Sequence, residues 1–534
     1  MPSAVTRVAV IGAGSSGLAQ LKQLLDAFSR PLVRSQLEVV VFESRPEIGG
    51  VWLSQSQPKA FHQAVTESAR GDQLYFYPPD GENPTAMYEG LRTNLPIDLM
   101  SFRDLPVDDT TQLFPDQETV LAYLQSYATK FDLLRHIRFN TQVNRLHHTL
   151  NSKSRRWTIE SSASGETART EEFDNVCVAN GHYSDTWVPE IPGLSVLTSS
   201  FCGQMLHARF YLRPEDYSGQ SILVVGSFAS GSDISRQLAS LNLYKFDHEG
   251  RPLTPDDGHH RYTRVYVSSS GVSPLFTADG PWKAHIIRVP LIDHVDAESI
   301  YFADHDPLHG IDTIIFATGY NLSLPFCKKD DEPWAERDVL ERIITAEERK
   351  GGEGRDVGGI KASTQRDLDE LLLFLDGDRS IAFPVLRELC VLDLPRSPTS
   401  GSSLQGGTEY GIVPFPFGET QTRLTSLLWA GLLPSFPDHP TPPPHLSNPY
   451  ITQPITPLST PSSSPKPISK SVSMREKLFF GAPYHHDYED HLMLLCLEAD
   501  ERAGLETPDH WKAIESWRRE RRADIYLRIA TLGY

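Results

Sequence analysis

The sequence predicts an α/β protein with two separate parallel-sheet units, and three observations carry that expectation. Two short apolar runs, residues 7–11 and 221–225, each break into a glycine-spaced loop. Each loop is followed by a helical pattern, through Leu18, Leu21, Leu24 and Leu25 in the first case and Ile234 and Leu238 in the second. The chain has 534 residues, enough for two or three folding units.

In the first unit, residues 37–42 read as a second buried strand ending in Glu43, which completes a βαβ motif. The loop between is Gly12-Ala13-Gly14-Ser15-Ser16-Gly17. Gly12 permits the tight turn, Gly14 lets the backbone approach a pyrophosphate, and Gly17 allows close helix–strand packing. The helix N-terminus at Ser15 and Ser16 offers free N–H groups to phosphates. Glu43 is placed to accept hydrogen bonds from an adenosine ribose. It lies farther along than the usual ~20 residues, a spacing assigned to an insertion around residues 26–36. A carboxylate there favours FAD or NAD over NADP.

The second loop reads Gly226-Ser227-Phe228-Ala229-Ser230-Gly231-Ser232-Asp233. Phe228 puts a bulky residue where the backbone should approach a pyrophosphate. Gly226 is read as cofactor-binding; either the loop is displaced, or the nucleotide is held mainly by Ser230, Gly231, Ser232 and Asp233. A 2′-phosphate wants a cation past the next strand. After Val267 come Ser268, Ser269, Ser270 and Gly271, with no cation among them; Arg236 and Lys283 are the alternatives. Further strand-like runs are residues 176–179, 264–267 and 313–317. Residues 434–467 hold 12 prolines and read as a disordered loop. Residues 484–503 and 510–532 read as helical.

Composition narrows the function. A net charge of -19 argues against nucleic acid. Five scattered cysteines without a C-x-x-C pair suggest a reducing compartment, no disulfide framework and no metal site. No signal-like N-terminus and no apolar run of the ~20 residues that span a bilayer are seen, so the cytosol is expected. A homodimer is compatible with the sequence.

Beyond the glycine loops, Glu47-Ile48-Gly49-Gly50-Val51-Trp52 and Phe201-x-Gly203-x-x-x-His207-x-x-x-Tyr211 resemble motifs of the flavin-containing monooxygenases. So do the segment from Tyr88 through Thr93, Asn94 and Leu95 to Pro96, the run Ala317-Thr318-Gly319-Tyr320, and residues 413–416 with Gln421. The resemblance implies two Rossmann-like domains, the nicotinamide domain inserted into the FAD domain. It implies FAD along Gly50, Val51 and Trp52, and NADP(H) at the second loop. It implies Asn94 as the catalytic amide beside flavin and nicotinamide, and His207 as a structural marker. On this basis residues 1–198 and 309–432 are assigned to FAD binding and 199–308 to NADP binding. Residues 433–472 form the Pro/Ser/Thr-rich loop and 473–534 a helical end. The expected activity is NADPH- and O2-dependent oxygenation of an amine, thiol or sulfide through a C4a-hydroperoxyflavin, of the N,N-dimethylaniline monooxygenase type. The cofactor carries that chemistry. The rivals are a Baeyer–Villiger oxygenase, which usually has Trp where Tyr211 stands, and a degenerate nucleotide-binding protein without activity. A flavin disulfide reductase would need a redox cysteine pair that this chain lacks.

Overall fold

In a computed structural model the described residues are 4–53, 64–67, 74–77, 84–151, 154–163, 167–243, 262–269, 280–335, 341–342, 359–362, 379–383, 413–433, 484–524 and 527–532. Two all-parallel five-stranded sheets organise them. The first runs in the order Ile381–Ala382, Asn175–Val178, Val5–Ile11, Gln36–Phe42, Ile137–Arg138. The second runs Gln204–His207, Thr313–Phe316, Ser221–Val225, Arg264–Ser268, Ile286–Val289. All strands of the second sheet lie, in sequence, between strands of the first. The insertion is therefore real.

The continuous apolar strands reflect burial on both faces, as parallel sheets require. Val8, Ala9 and Val10 are fully buried, as are Ile222, Leu223 and Val224. Helix Ser15–Phe28 buries Leu18, Leu21 and Leu24 on the first sheet. Helix Ala229–Ser240 buries Ile234 and Leu238 on the second. The boundary set at residue 309 needs correction. Strand Thr313–Phe316 is paired on both sides inside the second sheet, so the chain leaves that unit only after Phe316.

The link between the units is itself double. Outgoing Asp185–Thr186 pairs antiparallel with returning Tyr320 and Asn321, and Trp187 N donates to Gly319 O at 3.0 Å.

The C-terminal part docks on the first unit. Helix Pro414–Trp429 and helix Tyr484–Arg502 share an apolar cluster of Phe417, Leu424, Leu427, Leu492 and Cys496 with Ala27. Buried ion pairs join them. Arg103 meets Glu489 at 3.1 Å, and Asp500 meets Arg30 at 2.6 Å and Arg423 at 2.8 Å. Helices Ser516–Ala523 and Leu527–Leu532 close the chain. The disordered-loop expectation for residues 434–467 falls outside the described residues.

Candidate functional site

The first glycine loop is a cradle made by backbone crowding. A Cβ on Gly12 (φ +102°) would stand 2.4 Å from Ala179 O, and one on Gly17 1.9 Å from Gly12 O. Neither backbone partner can move aside, so only glycine fits. Gly12 N donates to Phe42 O at 2.8 Å. Gly14 is different: a Cβ there would meet only Gly50 Cα at 3.6 Å. Gly14 and Gly50 (φ +58°) face each other, leaving a backbone-lined slot at the start of helix Ser15–Phe28. Ser15 and Ser16 sit half-buried at that start.

Glu43 closes one side. It is 5% exposed; Oε2 accepts from Ala13 N at 2.7 Å and Oε1 from Arg45 N at 2.9 Å. Arg45 Nη1 donates to Gly50 O at 2.7 Å. The turn Gly50–Trp52 holds Val51 and Trp52 half-buried. Trp52 packs edge-on to Phe415, ring centroids 6.4 Å apart, so its indole is partly core. Gln117 Nε2 donates to Trp52 O at 2.9 Å. One residue earlier, Asp116 caps helix Gln117–Lys130. Thr93 N donates to Pro115 O at 3.1 Å. One loop thus braces both Trp52 and the segment bearing Asn94.

Asn94 is exposed and Leu95 half-buried, on the rim of a cavity shared with Phe114, Arg521, Arg522 and Arg528. Nothing in the sequence pattern pointed to those arginines there. Thr93 Oγ1 is buried and finds no hydrogen-bond partner among the described residues.

The second loop repeats the first. Gly226 (φ +100°) would carry a Cβ 2.5 Å from Ala317 O, and Gly231 one 2.1 Å from Gly226 O. Gly226 N donates to Ser268 O at 2.8 Å. Phe228 (φ −79°, ψ −155°) adopts nearly the backbone of Gly14 (φ −78°, ψ −169°). The loop is not displaced. A φ near −80° suits any L-residue, so the backbone at this position accepts phenylalanine without strain.

The other residues assigned to this loop divide. Ser230 is half-buried at the helix start. Ser232 Oγ donates to Ser227 O within the loop. Asp233 is engaged elsewhere: it accepts from Tyr88 Oη at 2.9 Å and Arg236 Nη2 at 2.8 Å. Asp233, expected at the nucleotide, instead pairs with Arg236, one of the two alternative cations for a 2′-phosphate. Where the first unit has Glu43 after Phe42, the second has Ser269 after Ser268. Arg288, on the neighbouring strand, brings Nη2 to 3.4 Å from Ser269 Oγ. Sequence reasoning missed it, because only the parallel register Val267↔Arg288 brings it there.

The fingerprint at residues 201–211 proves to be architecture. A Cβ on Gly203 would stand 2.2 Å from Asp312 O. His207 is fully buried; Nε2 donates to Gly319 O at 2.9 Å and Nδ1 accepts from Arg209 N at 3.1 Å. Burial drives its pKa down to about 3, with Arg209 adding to the effect against the Gly319 hydrogen bond. A neutral ring satisfied at both nitrogens has no proton to exchange near pH 7. Tyr211 Oη donates to Gln237 Oε1 at 3.0 Å.

Residues 5–246 match the family described as flavin-binding monooxygenase-like. Over those residues the chain is similar to the flavin-containing monooxygenases. Flavin-containing monooxygenase FMO GS-OX3 of Arabidopsis thaliana is 32% identical over 326 residues, 60% of this chain and 61% of that protein. FMO GS-OX2 of the same plant is 36% identical over 247 residues, covering 45% and 48%. The chain thus spans about three fifths or less of the curated relatives it matches. Among solved structures, S-allyl-L-cysteine S-oxygenase from Allium sativum aligns with 99% of this chain and 94% of its own, at TM-score 0.58 and 19% identity. That likeness extends the two-unit fold over the C-terminal half, beyond the family match. Among the described residues no helix is long and apolar enough to cross a membrane, and no cluster of three or more His, Cys, Asp or Glu could hold a metal.

Proposed function

We propose that this chain is an FAD- and NADPH-dependent monooxygenase that places one oxygen atom of O2 on a soft nucleophile, with sulfide sulfur the leading candidate. The observation that carries the reading is the repetition of one glycine cradle in two nested parallel sheets. A pair of such cradles in one chain suits two dinucleotides acting on each other. The sulfur preference draws on the S-allyl-L-cysteine S-oxygenase that shares this fold.

The residues present fit the first group. The backbone slot between Gly14 and Gly50 would be filled by any Cβ, and the orphaned hydroxyl of Thr93 is the kind of buried atom a ligand completes. FAD would lie along Gly12, Gly14, Ser15, Ser16 and Gly17, with Glu43 at its ribose and Gly50, Val51 and Trp52 beside its diphosphate. NADP(H) would lie on Gly226, Ser230 and Gly231. Bound together, the nicotinamide supplies hydride and the flavin supplies activated oxygen. This chain's own share is to bind, to orient and to exclude water. Asn94, on the rim of the cavity beside Phe114 and Arg528, would present its amide to the reacting face. The preference for NADPH is supported by Arg288. A hydroxyl and a guanidinium at the strand end where the first unit has a carboxylate suit a 2′-phosphate and disfavour a bare ribose less strongly. Scattered cysteines without a C-x-x-C pair favour a cytosolic setting.

The test is direct. The purified protein should be yellow, oxidise NADPH slowly alone, and turn over faster with a thioether while sulfoxide accumulates. Colourless protein that takes up no FAD, or NADPH oxidation with no oxygenated product from any thioether or amine, would sink the reading.

A further inference from the structure

The two cradles meet at a buried junction to which the far C-terminus contributes. Asp233, in helix Ala229–Ser240, accepts from Tyr88 Oη at 2.9 Å and from Arg236 Nη2 at 2.8 Å. Arg528 Nη2 lies 3.9 Å from the same Asp233 oxygen, and Arg528 Nε donates to Thr93 O at 3.2 Å. Tyr88, Thr93, Asp233 and Arg528 are all 7% exposed or less. Burial, then Asp233, pushes the Tyr88 phenol well above its ordinary value, so it stays a donor. One guanidinium therefore touches the residue before Asn94 and a carboxylate just past the second glycine loop.

The surrounding contacts aim the same way. Ile529 packs on the apolar core of the second unit. Arg518 Nη1 donates to Leu99 O at 3.0 Å, and Arg521 pairs with Asp98 at 3.0 Å. Three arginines of the last 17 residues thus grip residues 93–99 from outside. All three lie beyond the stretch that matches the family, which ends at residue 246.

We infer that Arg528 is a positioning residue that sets the spacing between the Asn94 amide and the nicotinamide cradle. The inference rests on the function proposed above. A buried guanidinium that donates to Thr93 O at 3.2 Å and stands 3.9 Å from Asp233 places one fixed charge between the two loops, and that directional bond with the buried charge attraction resists sliding that apolar packing alone would allow. Asp233 is its partner on the nicotinamide side, which explains why that carboxylate faces the junction rather than a nucleotide.

The experiment compares Arg528→Met, Arg528→Lys and wild type, each as full-length protein loaded with FAD. FAD content and Tm are measured first, then anaerobic flavin bleaching by NADPH, then sulfoxide formed per NADPH consumed. Arg528→Met should keep FAD, bleach about tenfold more slowly per bound flavin, and release hydrogen peroxide in place of product. Arg528→Lys should recover part of the rate, since an ammonium can still reach Thr93 O or Asp233 but not both. Should Arg528→Met fail to fold, Tyr88→Phe removes one hydroxyl from the junction and should slow bleaching in the same direction. Lower Tm and FAD content with wild-type bleaching and coupling per bound flavin would overturn the inference alone. A wild type that binds FAD yet is never bleached by NADPH would overturn the proposed function and this inference with it.

Discussion

The two glycine loops of this protein share a backbone and differ in what surrounds it. Gly12 and Gly226 sit at φ +102° and +100°, and each leaves no room for a Cβ against a neighbouring carbonyl. Gly17 and Gly231 each press on the first glycine of their own loop. The middle position is where they part. Gly14 faces Gly50 across a backbone slot, whereas the second loop puts a phenylalanine at the same backbone conformation. The lesson is that the outer glycines of such a loop are required by its own folding, and the middle one by its neighbour. A substitution in the middle reports on the ligand's surroundings and leaves the loop intact.

The largest effect is expected where crowding is worst. Gly17→Ala would put a methyl 1.9 Å from Gly12 O, so the loop must open, and FAD retention after gel filtration should be lost with a fall in stability of a few kcal/mol, about 2–4. Gly231→Ala, at 2.1 Å from Gly226 O, should spare bound FAD but weaken NADP+ binding about a hundredfold by fluorescence titration. If it strips FAD and leaves NADP+ affinity alone, the assignment of the two cradles is reversed. A smaller change is expected from Arg288→Gln: NADP+ affinity should fall about tenfold while NAD+ affinity holds, and equal losses for both would show that Arg288 does not read the 2′-phosphate. Phe228→Gly should be smallest, within about threefold in NADP+ affinity, because the backbone is already that of a working loop.

Acid should act through the link between the units. The folded value of His207, about 3, lies below the ordinary histidine value of 6.5, so the unfolded chain binds the extra proton more readily. Its contribution to stability is present above pH 6.5 and is lost as pH falls toward 3. Replacing His207 with Gln should flatten that part of the Tm-versus-pH curve; an unchanged curve would assign the acid sensitivity to other groups.

Local chemistry made much of this legible. Glycine spacing, strand hydrophobicity and Glu43 pointed to both parallel units, since each signal sits within one βαβ motif, while their nesting came from the family resemblance alone. What escaped was everything made by distant strands or helices. Arg288 is brought to Ser269 by sheet register, and Arg528 reaches Thr93 and Asp233 by the docking of a terminal helix whose own sequence carries no motif. The boundary at residue 309 failed for the same reason. Thr313–Phe316 reads equally well as an apolar strand of either sheet, and only pairing on both sides decides.

The outgoing and returning crossings deserve a last consequence. The chain passes between the two units near residue 186 and again near residue 320, and the two passages are zipped side by side. A single imidazole, His207, fastens the first strand of the second sheet to the returning one through Gly319 O. With the two crossings zipped together, any swing of one unit over the other would turn about that seam, and Tyr88 on Asp233 together with the terminal arginine at Thr93 and Asp233 lies where it would act as the latch.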